Sequence, residues 1–551
     1  MRILLLLLQK FKLIYNKANK KKGFFKMDFS IWLGLLPAII IFIYGIENFS
    51  KEIQHAAGTH FNQVIKWATK GPLRATFFGA LITAIIQSSA ATTIIAMGLV
   101  NSGLINFSQS IGLIFGANIG TTITSQLVAL NLIIYAPIFI ILGFILSLLK
   151  TKYNIFGKPI FYLGLLLFAL NLVSISVTPL KNDLQLMELL AYTSIPLVGI
   201  LVGFIVTNLF QSSSVTTGLL VVMSQTGLIG LDQAIPIIFG ANIGTTVLSL
   251  VVSSRMDTFA KRAAVTHFLF NFIGVIIFIP FLNYLVGFVN QIGGSPAQQV
   301  ANAHLFFNLV STLILLVFIN YFKIFVEKIV PTKEKEIVLS AKNLVDLDEK
   351  KPIEIFAAVI KEFKNSIESL IEMLNESKNI LTNPTQNNLR LIKLDAFVEY
   401  LYDETKKVLF PVSKKKLSKE DGQQVIFLTR SSKISSEIGK ITRKISNIIL
   451  LSKENEVDFS IEAKQDIEEC LSILSANLIL VKNNYPNFTE KILSEMHKND
   501  QELRTNINQG YKNYFSRLSE GKAAHGSTFV EVLDLIQDIG SKISELRKMP
   551  R

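Results

Sequence analysis

Residues 87–122 read QSSAATTIIAMGLVNSGLINFSQSIGLIFGANIGTT, and residues 211–246 read QSSSVTTGLLVVMSQTGLIGLDQAIPIIFGANIGTT. The second stretch repeats the first at a constant offset of 124 residues, so Gln87 answers to Gln211, Gly116 to Gly240 and Asn118 to Asn242. From Gln87–Thr124 against Gln211–Leu248, 19 of 38 positions are identical without a gap. The correspondence extends upstream through Gly79 and Thr83, matched by Gly203 and Thr207. Glycines, hydroxyls and amides carry the identity, although both copies lie in strongly apolar sequence. Polar groups are costly there and mark an ion or solute path, so the repeat points to transport.

The charge map sets the surroundings. Ala75–Leu149 contains no Asp, Glu, Lys, Arg or His, and Leu189–Ser254 contains only Asp232. A bilayer crossing takes about 20 apolar residues as helix, so each stretch holds several membrane segments. Residues 1–330 carry 21 Lys/Arg and 8 Asp/Glu, whereas residues 331–551 carry 34 and 33 in dense alternation. The net charge of +14 therefore sits almost wholly in the membrane half. Positive loops there act as orientation signals and not as a nucleic-acid footprint. One cysteine, Cys470, rules out an internal disulfide and a Cys-based metal cluster. Walker A, GxSxG and His/Cys ligand motifs are missing, and the chain is not read as an enzyme.

Periodicity predicts spanning helices near 30–47, 109–128, 131–149, 156–176, 233–252, 262–281 and 300–322. The stretches 75–104 and 194–228 instead hold short apolar arms broken at QSS(A/S), and read as re-entrant hairpins buried in protein. Three crossings then separate equivalent points of the repeats, an odd number, which inverts the second copy in the membrane. The expected fold is all-α: a polytopic membrane transporter with two inverted repeats containing re-entrant QSS hairpins, followed by a soluble α-helical bundle. Transport occupies 27–330, with repeat 1 at about 30–149, repeat 2 at about 156–281 and an extra helix at about 300–322; the helical domain is 331–551. With that domain cytoplasmic, the inside loops contain Lys51, Lys66, Lys70, Arg74, Lys150, Lys152, Lys158, Arg255, Lys261 and Arg262, and the outside loops only Lys181. This agrees with the positive-inside rule for a multi-pass protein of the cell inner (plasma) membrane. Residues 1–26 are too short in apolar run to span, and read as a basic surface segment or as sequence preceding a start at Met27.

The candidate substrate and sodium residues follow from the breaks. Gly79, Thr83 and Gln87 share one helical face, as do Gly203, Thr207 and Gln211. Ser88-Ser89 and Ser212-Ser213-Ser214 form the turns, and Thr92-Thr93 and Thr216-Thr217 begin the return arms. A helix starting at such a turn aims free N–H groups and a partial positive charge at the break, which suits an oxyanion without Arg or Lys. Hydroxyl, amide and carbonyl oxygens there are hard ligands suited to Na⁺. Asn118, Thr121 and Thr122 in the first GANIGTT, and Asn242, Thr245 and Thr246 in the second, complete the set. Ala90 in place of Ser214 is read as the one chemically unequal position. A second small repeat, His267-x-x-Phe270-Asn271 and His304-x-x-Phe307-Asn308, is read as helix-to-helix hydrogen bonding.

The doubled QSS(S/A)xTT and GANIGTT motifs, with the paired HxxFN motifs, resemble the sodium/phosphate cotransporter family over about residues 30–330. The resemblance implies inorganic phosphate as substrate, Na⁺ as the coupling ion and no other cofactor, with both QSS hairpins lining the sites. A phosphate exporter, another oxyanion carrier and a membrane-anchored phosphate sensor are the alternative readings. The C-terminal residues resemble a PhoU-like helical domain, through which a regulatory partner or a second copy would engage. In that family such faces can bind metal ions, which here would be Asp395, Glu399 and Asp403, with Asp534 and Asp538; read from the residues alone, acidic residues every four positions are usually a solvated face.

Overall fold

The computed structural model describes residues 29–57, 71–130, 132–149, 152–345, 347, 350–383, 388–414, 417–454, 459–519 and 526–548. The basic segment 1–26 and loop residues Lys66, Lys70 and Lys150 lie outside them. The chain divides into two compact units at Glu334/Lys335.

In the first unit the repeat is exact in its boundaries. Pro72–Ile86, Ser89–Asn101, Phe107–Gly120 and Thr122–Ala129 are matched by Pro196–Phe210, Ser213–Gln225, Leu231–Gly244 and Thr246–Ser253. Each helix in the second set starts and ends 124 residues after its counterpart. The leading arms have 15 residues and the return arms 13. At 1.5 Å per residue they reach only ~20–23 Å, short of a ~30 Å hydrocarbon core. Pro72 and Pro196 open the leading arms, where a missing N–H costs nothing. Ile195, extended before its proline, turns the short helix preceding the second hairpin through 105°.

Among the described residues six helices are long and apolar enough to cross a membrane, Leu33–Ile53, Phe107–Ala129, Asn154–Asn182, Leu231–Ser253, Thr258–Ile292 and Pro296–Val317, or seven if the bent pair Leu184–Ser194 and Pro196–Phe210 is one span. The crossing expected at 131–149 is shorter than that. A 3₁₀ turn, Leu132–Tyr135, leads into a 13-residue α-helix, Ala136–Leu148, whose start is fixed by Pro137.

Glycine sets the approach of each leading arm to the helix carrying GANIG. A Cβ on Gly79 would fall on the carbonyl oxygen of Leu113, and one on Gly116 on that of Thr76. Gly203 and Gly240 stand in the same relation to Ile237 and Ile200. The two helices of each repeat therefore touch backbone to backbone.

Among the described residues the second unit is a bundle of six α-helices: Pro352–Thr382, Leu389–Ser413, Lys419–Glu454, Ile461–Asn484, Glu490–Ser519 and Gly526–Lys548. Leu, Ile, Val and aromatic side chains at helical spacing form one continuous core. Asp500, 8% exposed, is one of three buried carboxylates among the described residues of this unit, with Glu362 and Asp395. It accepts from Asn477 Nδ2 (3.0 Å) and Ser544 Oγ (2.6 Å) and pairs with Arg547. Asp500→Ala leaves Arg547 without its carboxylate partner, and is expected to cost about 3–5 kcal/mol in denaturant unfolding of the full chain.

Candidate functional site: the hairpin tips

Gln87 (φ 59°) and Gln211 (φ 53°) are the only non-glycine residues in the left-handed region among the described residues. Such a conformation is strained for a side-chain-bearing residue and persists where the surroundings enforce it. Each glutamine ends a leading arm, and the next residue starts the return arm. Ser88 Oγ accepts from Ala91 N at 3.2 Å and Ser212 Oγ from Val215 N at 3.3 Å, both as N-caps. The arms are then pinned across the tip. Thr83 Oγ1 lies 2.8 Å from Thr92 Oγ1, and Thr207 Oγ1 lies 2.8 Å from Thr216 Oγ1. Ser89, Thr93, Ser213, Ser214 and Thr217 are buried beside these tips.

The repeats meet through hydroxyls that sequence reasoning did not single out. Thr124 Oγ1 donates to Gln87 Oε1 at 2.6 Å, and Ser214 Oγ reaches Thr124 Oγ1 at 3.5 Å. Ser125 Oγ lies 3.3 Å from Thr217 Oγ1 and 3.0 Å from His304 Nδ1. A chain of side chains thus joins the tip of the first hairpin to the return arm of the second. Ala90 is not the one unequal position: the counterpart of Thr124 is Leu248, and the counterpart of Ser214 is Ala90. The two inequalities fall on a single contact, Ser214 to Thr124, whose mirror residues Ala90 and Leu248 have no hydroxyl to exchange. A Thr–Leu mismatch at the edge of the repeat was the available signal.

The remaining expected residues divide. Thr122 and Thr246 turn their hydroxyls onto their own helices, to Ile119 O and Ile243 O, both at 2.7 Å, and Thr121 and Thr245 occupy the helix junctions. Asn118 Oδ1 accepts from Asn271 Nδ2 at 3.1 Å, while Asn242 Oδ1 accepts from His304 Nε2 at 3.3 Å. The HxxFN motifs dock on the GANIG helices. Phe270 packs on Phe115 with ring centroids 5.0 Å apart, and Phe307 on Phe239 at 4.7 Å.

The C-terminal carboxylates do not converge as metal ligands. Asp395 pairs with Arg443 (3.1 Å), Glu399 with Lys440 (2.8 Å) and Asp403 with Lys406 (2.8 Å). Tyr511 Oη donates to Asp534 at 2.5 Å, and Asp538 is exposed. Among the described residues no three His, Cys, Asp or Glu side chains gather to hold a metal ion. Four-residue acidic spacing here builds cross-helix ion pairs. Burial pushes the Asp395 carboxyl above the usual carboxylate range, against the pull of Arg443.

The chain matches the Na⁺/Pi-cotransporter family over residues 41–175 and 182–309. It is 30% identical over 274 residues to "Uncharacterized protein YqeW" of Bacillus subtilis, covering 49% of this chain and 89% of that protein. It belongs to the Na⁺/Pi-cotransporter family. This cotransporter-family chain is also similar to "Putative inorganic phosphate export protein YjbB" of Escherichia coli K12, 24% identical over 456 residues, 81% of this chain and 83% of the relative. A third relative, "Sodium-dependent phosphate transport protein 2A" of Rattus norvegicus, is 38% identical over 110 residues, 19% of this chain and 17% of its own length. No solved structure matches. The family assignment makes this a multi-pass membrane protein of phosphate transport, and the matched segments contain both hairpins.

Proposed function

We propose that this protein moves inorganic phosphate across the cell membrane in a Na⁺-coupled cycle of alternating access. The observation that carries the reading is the uncharged site at the tips. Two return-arm N-termini and a chain of hydroxyl and amide groups crossing the repeats supply N–H donors for an oxyanion and oxygen ligands for Na⁺. Gln87, Ser88, Ser89, Thr92 and Thr93 line the first half, and Gln211, Ser212, Ser213, Ser214, Thr216 and Thr217 the second. In this reading the repeats are inverted in the membrane, and the helical unit is a cytoplasmic, PhoU-like regulatory domain. Export is the second reading. It is favoured by the similarity to "Putative inorganic phosphate export protein YjbB", which spans 81% of this chain and so reaches into the helical unit.

Reconstitution in liposomes tests both. Radiolabelled phosphate uptake is expected to rise with an inward Na⁺ gradient; uptake indifferent to Na⁺ would overturn the coupling, and efflux driven without Na⁺ would favour export. In the same assay Gln211→Ala and Ser212→Ala are each expected to lower transport by about 10- to 100-fold, the loss of one or two well-placed hydrogen bonds. Asp395→Ala, in the other unit, is expected to leave the rate within about twofold.

A further inference from the structure

Resting on the alternating-access reading above, we infer that His267 and His304 are positioning residues for the change of access, holding two settings of one switch. The argument begins with chemical identity. Thr93, Asn118 and Ser125 have the same residue types at Thr217, Asn242 and Ser249, and each half adds one HxxFN motif. Like residues are thus available to both halves, although Thr124 and Ser214 beside them are replaced by Leu248 and Ala90 in the mirror positions.

The contacts do differ. In one half Thr217, Ser125, His304 and Asn242 form a closed chain, with steps of 3.3, 3.0 and 3.3 Å. In the other half only one comparable step remains, Ser249 Oγ to His267 Nδ1 at 3.4 Å. Thr93 Oγ1 and His267 Nε2 have no hydrogen-bond partner among the described residues, although both residues are fully buried. The amide oxygen of Asn118 is taken by Asn271, whereas that of Asn242 is taken by the histidine. Asn242 Nδ2 is unpartnered among the described residues, whereas Asn118 Nδ2 donates to Ile114 O at 2.8 Å; the motif asparagines are alike, with Asn271 Oδ1 and Asn308 Oδ1 both unpartnered. One acceptor thus has two alternative donors, an asparagine or a histidine of the same motif, and each half shows a different choice.

The histidines are placed to report on both repeats. His304 joins Ser125 of the first repeat to Asn242 of the second; His267 lies against Ser249 of the second, on the helix whose Asn271 binds Asn118 of the first. Exposure follows the same division: Gln87 is buried and Gln211 exposed. A buried donor or acceptor left without a partner is costly, so the open half is poised to close. Two halves of like residues in unlike hydrogen-bonding arrangements would form a two-state element if only one closes at a time. Closing the His267 half while opening the His304 half would carry the carrier to its other access state.

Thiol labelling tests this without Na⁺ or phosphate, so a failure of Na⁺ coupling would leave the result intact. In a Cys470→Ser background, Gln211→Cys is expected to label fast and Gln87→Cys slowly. Adding His304→Leu is expected to reverse that order, changing each labelling rate by about tenfold. Adding His267→Leu is expected to keep the original order. His304→Gln, which restores a donor to Asn242, is expected to return labelling towards the parent and so separates the effect from misfolding. Equal shifts from both histidine variants, or no shift from either, would overturn the inference.

Discussion

Thr124→Leu is expected to lower phosphate transport by about 100-fold or more, while the mirror change Leu248→Thr leaves it nearly unaltered. Thr124 is 3% exposed, donates to Gln87 Oε1 at 2.6 Å and lies 3.5 Å from Ser214 Oγ. Leucine removes the donor, and an unmet buried acceptor costs about 1–3 kcal/mol. Leu248, by contrast, is 41% exposed, so a threonine there meets no fixed partner. Thr124→Ser keeps the hydroxyl and should retain most of the activity. Transport by Thr124→Leu at the parent rate in liposomes would remove this contact from the site.

Gly240→Val is expected to abolish assembly of the membrane unit. Its Cβ would lie 1.9 Å from the carbonyl oxygen of Ile200, a backbone atom that cannot rotate away. The reciprocal glycine, Gly203, meets Ile237 in the same manner, so separation of the two helices is the only relief. Separation would also displace Asn242 and Phe239 from the His304 helix, and the loss is expected to be on the order of 4 kcal/mol or more. Gly98 provides the contrast, because a Cβ there meets nothing within 4 Å. Size-exclusion chromatography of the two variants should show a monodisperse peak for Gly98→Ala and none for Gly240→Val.

The fold was legible where covalent rules act locally. A polar break with arms too short to span reads as a hairpin whatever surrounds it, and the doubled motif fixes which residues are equivalent. The crossing expected at 131–149 was overlong because hydropathy registers Leu132–Tyr135 as apolar without registering its 3₁₀ turn before Pro137. Ser88 and Ser212 were readable as caps, since capping is a neighbour effect. Thr124 and Ser125 were not, because their partners Gln87, Thr217 and His304 are 37, 92 and 179 residues away. The HxxFN motifs were correctly read as bonding between helices, but their division into two unlike halves is a property of tertiary contacts alone. The acidic faces of the second unit show the same limit: spacing places Asp395, Glu399 and Asp403 on one face, but only packing brings Arg443 and Lys440 against the first two.

The threonine pairs Thr83–Thr92 and Thr207–Thr216 have a mechanical consequence. A tip cross-linked by a 2.8 Å bond between its own arms resists splaying, so it moves as a stiff rod. Bending must then be absorbed at the far end of the return arm. There Gly103 (φ 72°) and Gly227 (φ 70°) occupy backbone conformations that other residues rarely adopt. A small rotation at either glycine would be magnified along an arm of 13 residues before it reached the tip, as at the fulcrum of a lever.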